Sequence, residues 1–116
     1  PIQFKHFHSK IPDLGFTLDV GHAFLTKRLM HEHDAEDALL QDIDTIGIHH
    51  VYHIHMHNNG GTRDDHLFLK GEIDLKRILK GLSDRGYNGK VILESYDVEE
   101  HGIDRVVEKL KSIEPQ

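Results

Sequence analysis

The stretch His49-His50-Val51-Tyr52-His53-Ile54-His55-Met56-His57-Asn58-Asn59-Gly60-Gly61 limits the folds open to this chain more than any other. It reads as one β-strand running into a polar, glycine-rich loop. Side chains on a strand alternate between faces, so Val51, His53, His55 and His57 share one face and Tyr52, Ile54 and Met56 the other. Alternation alone would also describe a solvated antiparallel strand. The gathering of imidazoles toward the C-terminal end says more, because ligands of α/β folds bind at that end of the strands.

The flanking sequence alternates helix and strand. Pro1 suits a first helical turn, Phe4, Phe7 and Ile11 follow at helical spacing, and Pro12 closes the segment. Gly15 to Val20 reads as a strand with Phe16, Leu18 and Val20 on one face and Thr17 and Asp19 on the other. Ala23 to Met30 fits a short helical turn. Asp34 is placed as an N-cap, and Ala35, Ala38, Leu39, Ile43 and Ile46 trace one stripe of a helix that Gly47 stops. After the histidine strand and a loop from Asn58 to Leu69, Asp74 caps the clearest helix. Ile73 and Ile78 can staple it, Leu75, Ile78, Leu79 and Leu82 form its buried stripe, and Gly86 ends it in a left-handed cap. Asn88-Gly89 turns the chain into a strand, Lys90 to Glu94, and a last helix carries Ile103, Val106, Val107, Leu110 and Ile113.

Strands separated by amphipathic helices imply parallel pairing through crossovers, an α/β fold of (β/α) units. Each of the three strands ends in a side chain able to bind a metal: Asp19, His55 or His57, and Glu94. Their opposite faces would put Phe16, Leu18, Tyr52, Ile54, Met56, Val91 and Leu93 under the helices. Convergence of imidazole and carboxylate from separate strands suits Mn²⁺, Zn²⁺, Co²⁺ or Fe²⁺ without choosing among them; Mn²⁺ or Zn²⁺ is taken as the first expectation, and Mg²⁺ stays open. His22, three residues past Asp19, can be a ligand or hold a substrate hydroxyl. Asp64 and His66 are spaced to reach one site from an extended loop.

Each of these residues has a plainer reading. Asp19 can be a helix cap, His55 a core histidine on a backbone carbonyl, Asp64-x-His66 a turn, and Glu94 the partner of an interior cation. Of His53 and His57, one would lie deeper in the interior and the other in the loop. His49 and His50 are expected to be partly exposed, His31 and His33 solvated, and the acidic run Asp97 to Glu100 a solvated helix start.

Length and composition set outer bounds. The 116 residues are enough for one ordinary domain, taken as residues 1–116. Hydrophobic residues make up 37% and charged residues 29%, which suits a soluble globular protein. No apolar run reaches membrane-spanning length and no secretory pattern is present, so no membrane partner is expected. The absence of cysteine excludes disulfides and thiolate sites and fits a cytoplasmic setting. A formal net charge of −6 argues against broad nucleic-acid binding. The chain begins at Pro1 rather than methionine, as a trimmed or processed product would.

Four motifs in order carry a family resemblance. Leu18-Asp19-Val20-Gly21-His22 resembles the Leu-Asp-x-x-His strand end of the xylose isomerase-like barrels, and His55-Met56-His57-Asn58-Asn59 resembles their next strand end, usually His-x-x-Asp-Asn. Asp64-Asp65-His66-Leu67 with Lys70-Gly71-Glu72-Ile73-Asp74 is similar to their Asp-x-His-Leu loop and Gly-Glu-Gly-x-Ile helix start. Val91-Ile92-Leu93-Glu94 is similar to their glutamate-ended closing strand. The loop before Ile73 is one residue short of the usual form, and Asn58 stands where an aspartate is common.

The resemblance implies the C-terminal half of a TIM barrel, since whole barrels need roughly 200 residues or more. It implies metal ligands Asp19, His22, His55, Asp64, His66 and Glu94, with a further glutamate from the other half. A half barrel leaves sheet edges open, so association with the other half or with a second copy is expected.

Two activities follow from the resemblance. One is a metal-dependent isomerase or epimerase of a sugar or sugar phosphate, moving a proton through a metal-stabilised enediolate, with Glu94 as ligand and base and His22 positioning oxygen. The other is a zinc phosphodiesterase like endonuclease IV, acting on abasic DNA, for which nucleic acid would be the partner. Against both stands a catalytically empty fragment that self-associates.

Overall fold

The computed structural model describes residues 2–30, 33–97 and 102–115, without the side chains of Ile2, Phe4 and Lys5. The expectations for Pro1, His31 and the acidic run past Asp97 lie outside these residues. Five helices and three strands alternate through them: α1 (Ile2–Lys10), β1 (Phe16–Asp19), α2 (Val20–Leu29), α3 (Ala35–Ile46), β2 (Val51–Met56), α4 (Leu75–Asp84), β3 (Lys90–Leu93) and α5 (Ile103–Ile113). A 3₁₀ turn, Ile48–His50, precedes β2. The strands form one parallel sheet in the order β1-β2-β3. This is the α/β arrangement of (β/α) units, a partial barrel. Among the described residues no helix is long and apolar enough to cross a membrane.

The helices begin and end where local chemistry dictates. Asp34 and Asp74 each accept a hydrogen bond from the backbone N–H three residues on, capping α3 and α4. Gly86 takes φ +88°, a conformation that costs glycine no Cβ clash, and its N–H and that of Tyr87 satisfy the last carbonyls of α4. Asp19 does the same work as Asp34 for α2, accepting from the His22 N–H at 2.9 Å. That cap ends β1 one residue before the expected Val20 and makes α2 a full ten-residue helix rather than a short turn.

The core lies between sheet and helices. Leu18, Ile54 and Met56 from the strands meet Phe24, Leu39, Ile43, Ile78 and Leu82, all buried. Ion pairs fasten α3 to its neighbours. The Arg77 guanidinium binds both oxygens of Asp34, at 2.9 and 2.7 Å, Arg85 binds both of Asp44, at 2.6 and 2.9 Å, and Lys27 reaches Asp42 at 2.7 Å. The guanidinium hydrogen bonds hold the Asp34 and Asp44 carboxyls below the ordinary carboxylate value.

Two side chains expected under the helices are not there. The β1–β2 register slips between Phe16 and Thr17, so that Phe16 pairs with Val51 but Thr17 with His53. Tyr52 is thereby skipped and left 52% exposed, while Val51 is buried. Its ring lies against Gly15 and its hydroxyl donates to the Asp13 carbonyl. Val91 is also exposed, because β3 is an edge strand and a groove of about 490 Å³ opens between α4, β3 and α5. The apolar side chains of α1 and α5 are likewise only partly covered: Phe7, Ile103, Val107 and Leu110 are exposed, as is Ile11 just past α1.

Burial therefore separates two residues on adjoining strands. Ile54→Ala, at a fully buried site, is expected to cost about 2–5 kcal/mol in urea unfolding. Val91→Ala, at the open groove, should cost under about 1 kcal/mol.

Candidate metal centre

Parallel pairing sets the ends of the three strands side by side. Asp19 is the register partner of His55, and the Glu94 N–H donates to the Met56 carbonyl, continuing the β2–β3 ladder past Leu93. Beyond this edge the chain forms the 58–71 loop, which brings Asp64 and His66 over the strand ends.

Six side chains singled out in the sequence meet here through a seventh, His57. Its Nε2 lies 2.7 Å from Asp19 Oδ1, and its Nδ1 lies 3.7 Å from Asp64 Oδ1. Asp64 Oδ2 in turn lies 3.2 Å from His66 Nε2 and 3.9 Å from His22 Nδ1. The His57 and His66 rings stack at 4.0 Å with planes 15° apart. His55 Nδ1 lies 3.2 Å from Glu94 Oε1, so the partner of that carboxylate is an imidazole rather than an interior lysine or arginine. One donor atom from each of His57, His66 and Glu94 lies within 4.8 Å of the others. Asp19 and His55 sit one contact away, on His57 and on Glu94, and His22 is outermost.

The sequence reading offered His55 or His57 at the end of this strand and settled on His55; His57 is the one the structure buries in the cluster. Both are on the same strand face, as the period-two reading required, but His57 alone is fully buried. The signal that could have found it is Gly21. A Cβ at that position would collide with the His57 ring, so a glycine two residues past Asp19 makes room for a large side chain from the next strand. Asp19 is both of the things considered for it, a helix cap and a member of the cluster.

Charge reinforces the arrangement. Burial works to lower the His57 imidazole, but its hydrogen bond with Asp19 and the charges of Asp19, Asp64 and Glu94 outweigh that and hold its pKa above the ordinary value. Burial likewise works to raise Asp19, and the His57 and His22 hydrogen bonds and charges overcome it and hold its carboxyl low.

Two braces hold the loop. Asn58, buried where the family usually has aspartate, accepts from the Ile73 N–H at 2.8 Å and donates to the Ile73 carbonyl at 2.9 Å. A carboxylate could make the first bond and not the second. Asn59 donates to the Gly21 carbonyl and accepts from the Gly61 N–H. The second brace is Asp97, expected to be solvated and in fact buried. Its carboxylate accepts from the Phe68 and Leu69 N–H groups and from the Ser95 hydroxyl. Next to it, the Tyr96 N–H donates to the His66 carbonyl. Between these ties His66 takes φ +50°, a left-handed conformation uncommon for a residue with a side chain.

Burial raises the Asp97 pKa, but its hydroxyl and backbone donors outweigh burial and lower it on balance. Its stabilising effect is thus complete above the ordinary carboxylate range and lost as pH falls through the lowered value. In an NMR acid titration, the Phe68 and Leu69 amide shifts should move together with a midpoint below 3.8. Gly21→Ala should displace the His57 ring and destabilise the protein by about 1–3 kcal/mol in urea unfolding, the range for overpacking a filled site.

The fold has counterparts. A family model described as xylose isomerase-like TIM barrel matches residues 3–115. The uncharacterized protein MJ1311 of Methanocaldococcus jannaschii is 32% identical over 87 residues, covering 74% of this chain and 27% of that protein. The uncharacterized protein MJ1614 of the same organism is 29% identical over 110 residues, covering 94% of this chain and 38% of that protein. The crystal structure of a D-tagatose 3-epimerase-like protein superposes with a TM-score of 0.62 at 29% identity, covering 86% of this chain and 34% of that one. The chain thus spans between about a quarter and two-fifths of the length of these proteins. Matched over nearly all its residues, it belongs to the xylose isomerase-like TIM barrel family.

Proposed function

We propose that this chain, read as one domain forming the C-terminal half of a barrel, supplies part of the active site of a metal-dependent isomerase or epimerase acting on a sugar or sugar phosphate. The observation that carries the reading is the meeting of imidazoles and carboxylates at the C-terminal ends of adjacent parallel strands. The family, and the D-tagatose 3-epimerase-like neighbour in particular, support sugar chemistry at that end. The donor set fits a cation. It mixes nitrogen and oxygen, and the buried His57 Nδ1 has no hydrogen-bond partner within the protein.

The residues available to hold the cation are Asp19, His22, His55, Asp64, His66 and Glu94, with His57 behind them. Mn²⁺ or Zn²⁺ suits them best. A bound divalent ion would polarise adjacent oxygens of a hydroxy-carbonyl substrate and acidify the proton on the hydroxyl-bearing carbon next to the carbonyl. The Glu94 carboxylate, partly open to solvent, then takes that proton. His55 holds Glu94 in place. His22, at the solvent edge of the cluster, positions a substrate oxygen. A cytoplasmic setting accords with a chain free of cysteine.

One observation favours the zinc phosphodiesterase reading: His22, Asp64 and His66 form their own contact group beside the strand ends. A net charge of −6 opposes a DNA substrate, and we rank this reading second.

Glu94→Gln should reduce substrate-carbon proton exchange with D₂O, followed by NMR with ketoses and their phosphates, by about 100-fold or more. Retained exchange would remove Glu94 as the base, and metal-dependent cleavage of abasic-site DNA would establish the second reading instead. The open edges of β1 and β3 call for pairing with the remaining barrel strands or with a second copy. Light scattering over a concentration series should therefore report a species larger than one chain.

A further inference from the structure

We infer that His8, His49 and His50 form a proton-operated latch: as neutral rings they hold α1 against the N-terminal end of β2, and on taking up protons they let it go. The latch lies at the end of the sheet away from the candidate metal centre and rests on none of the metal chemistry. The six residues of β2, at roughly 3.3 Å each, stand between the two.

The rings meet across two elements. His8 comes from the last turn of α1, and His49 and His50 come from the 3₁₀ turn that leads into β2. The His8 and His50 ring centroids are 4.0 Å apart, with planes at 58°, and those of His49 and His50 are 3.9 Å apart, with planes at 45°. His50 is thus in contact with both of the others. Gly47 lets the 3₁₀ rings close over the backbone: a Cβ there would stand 3.0 Å from the His49 ring and 3.4 Å from the His50 ring. Among the described residues, the nitrogens of these three imidazoles do not converge as the donor atoms of His57, His66 and Glu94 do. They meet as packed rings rather than as a ligand set.

Neutral aromatic rings attract one another in tilted contacts of this kind. Imidazolium ions at the same spacing repel. The groups whose charge acts on His50 are His49, in its own turn, and His8, from α1; burial first, and then these two charges, holds the His50 pKa below the ordinary value. α1 carries no acidic residue, and its other ionisable side chains described, His6 and Lys10, are exposed. A group whose pKa is lowered by folding stabilises fully above its unfolded value and loses that effect as pH falls through the lowered one. The latch is therefore shut above the ordinary imidazole value of 6.5 and begins to open below it.

The loss is felt in α1. This helix has nine residues, too few to persist in water without contacts. Of its described side chains only that of His8 is partly covered, and Gln3, His6, Phe7, Ser9 and Lys10 are exposed.

Amide hydrogen exchange read by NMR tests the latch. Protection factors in α1, corrected for the intrinsic pH dependence of exchange, should fall about tenfold or more between about pH 8 and about pH 5, the scale of one linked proton. Those of α4 should stay level. In His50→Phe, which keeps a ring and removes the proton, the fall in α1 should shrink severalfold. Ring titration of the wild-type protein by ¹H–¹³C NMR does not depend on a variant folding, and it should place the His50 midpoint below 6.5. Equal α1 protection at both pH values, an equal fall in α4, an undiminished fall in His50→Phe, or a His50 midpoint at or above the ordinary value overturns the inference.

Discussion

A single carboxylate oxygen, Asp19 Oδ1, joins the local and the long-range order of this chain. One hydrogen bond to it, from the His22 N–H, starts α2; the other, with His57, spans two strands and fixes an imidazole at the C-terminal edge of the sheet. Helix initiation and site assembly are thus coupled through one side chain. The coupling works only because the strands are parallel and in register, which places Asp19 opposite His55 and lets the residues after Met56 and Leu93 leave the sheet side by side.

From that anchor the loop is built outward in layers. His57 supports His66 by stacking, and Asp64 stands between the two imidazoles and His22. Asn58 and Asn59 tie the start of the loop to Ile73 and Gly21, and Asp97 ties its end to the chain after β3. The unusual backbone of His66 is held between these ties. The buried side-chain polar atoms of the loop have partners within the protein, while the Nδ1 of His57 has no hydrogen-bond partner. That contrast makes the buried nitrogen informative: the surrounding structure leaves few polar atoms to chance.

Much of this was legible in the sequence where the determinants are local. α4 could be read from end to end, from the Asp74 cap and the buried Ile73 and Ile78 to the left-handed Gly86, because each feature depends on neighbours within a few residues. The strand-end carboxylates Asp19 and Glu94 were visible because period two and a following helix mark where a strand stops. What was not legible depends on pairing between distant segments. Tyr52 is turned outward by a register slip against β1, and no pattern within the strand announces it. Asp97 looked like one more surface acid in an acidic run, and only contact with Phe68 and Leu69 makes it a buried brace. His57 was on the page as one of several histidines, and its burial turns on Gly21, far away in the chain in the first turn of α2.

The Asn59 brace also bears on how the protein ages. Asparagine followed by glycine loses its side-chain amide fastest, because the next backbone nitrogen can swing in to attack the side-chain carbonyl and close a succinimide ring. Asn59 precedes Gly60, yet its amide is buried and held at both ends, and the Gly60 N–H is turned toward Asp65. Asn88, by contrast, is exposed and precedes an exposed Gly89. Chemical wear in stored protein therefore concentrates on the turn before β3, and the loop over the strand ends keeps its amide.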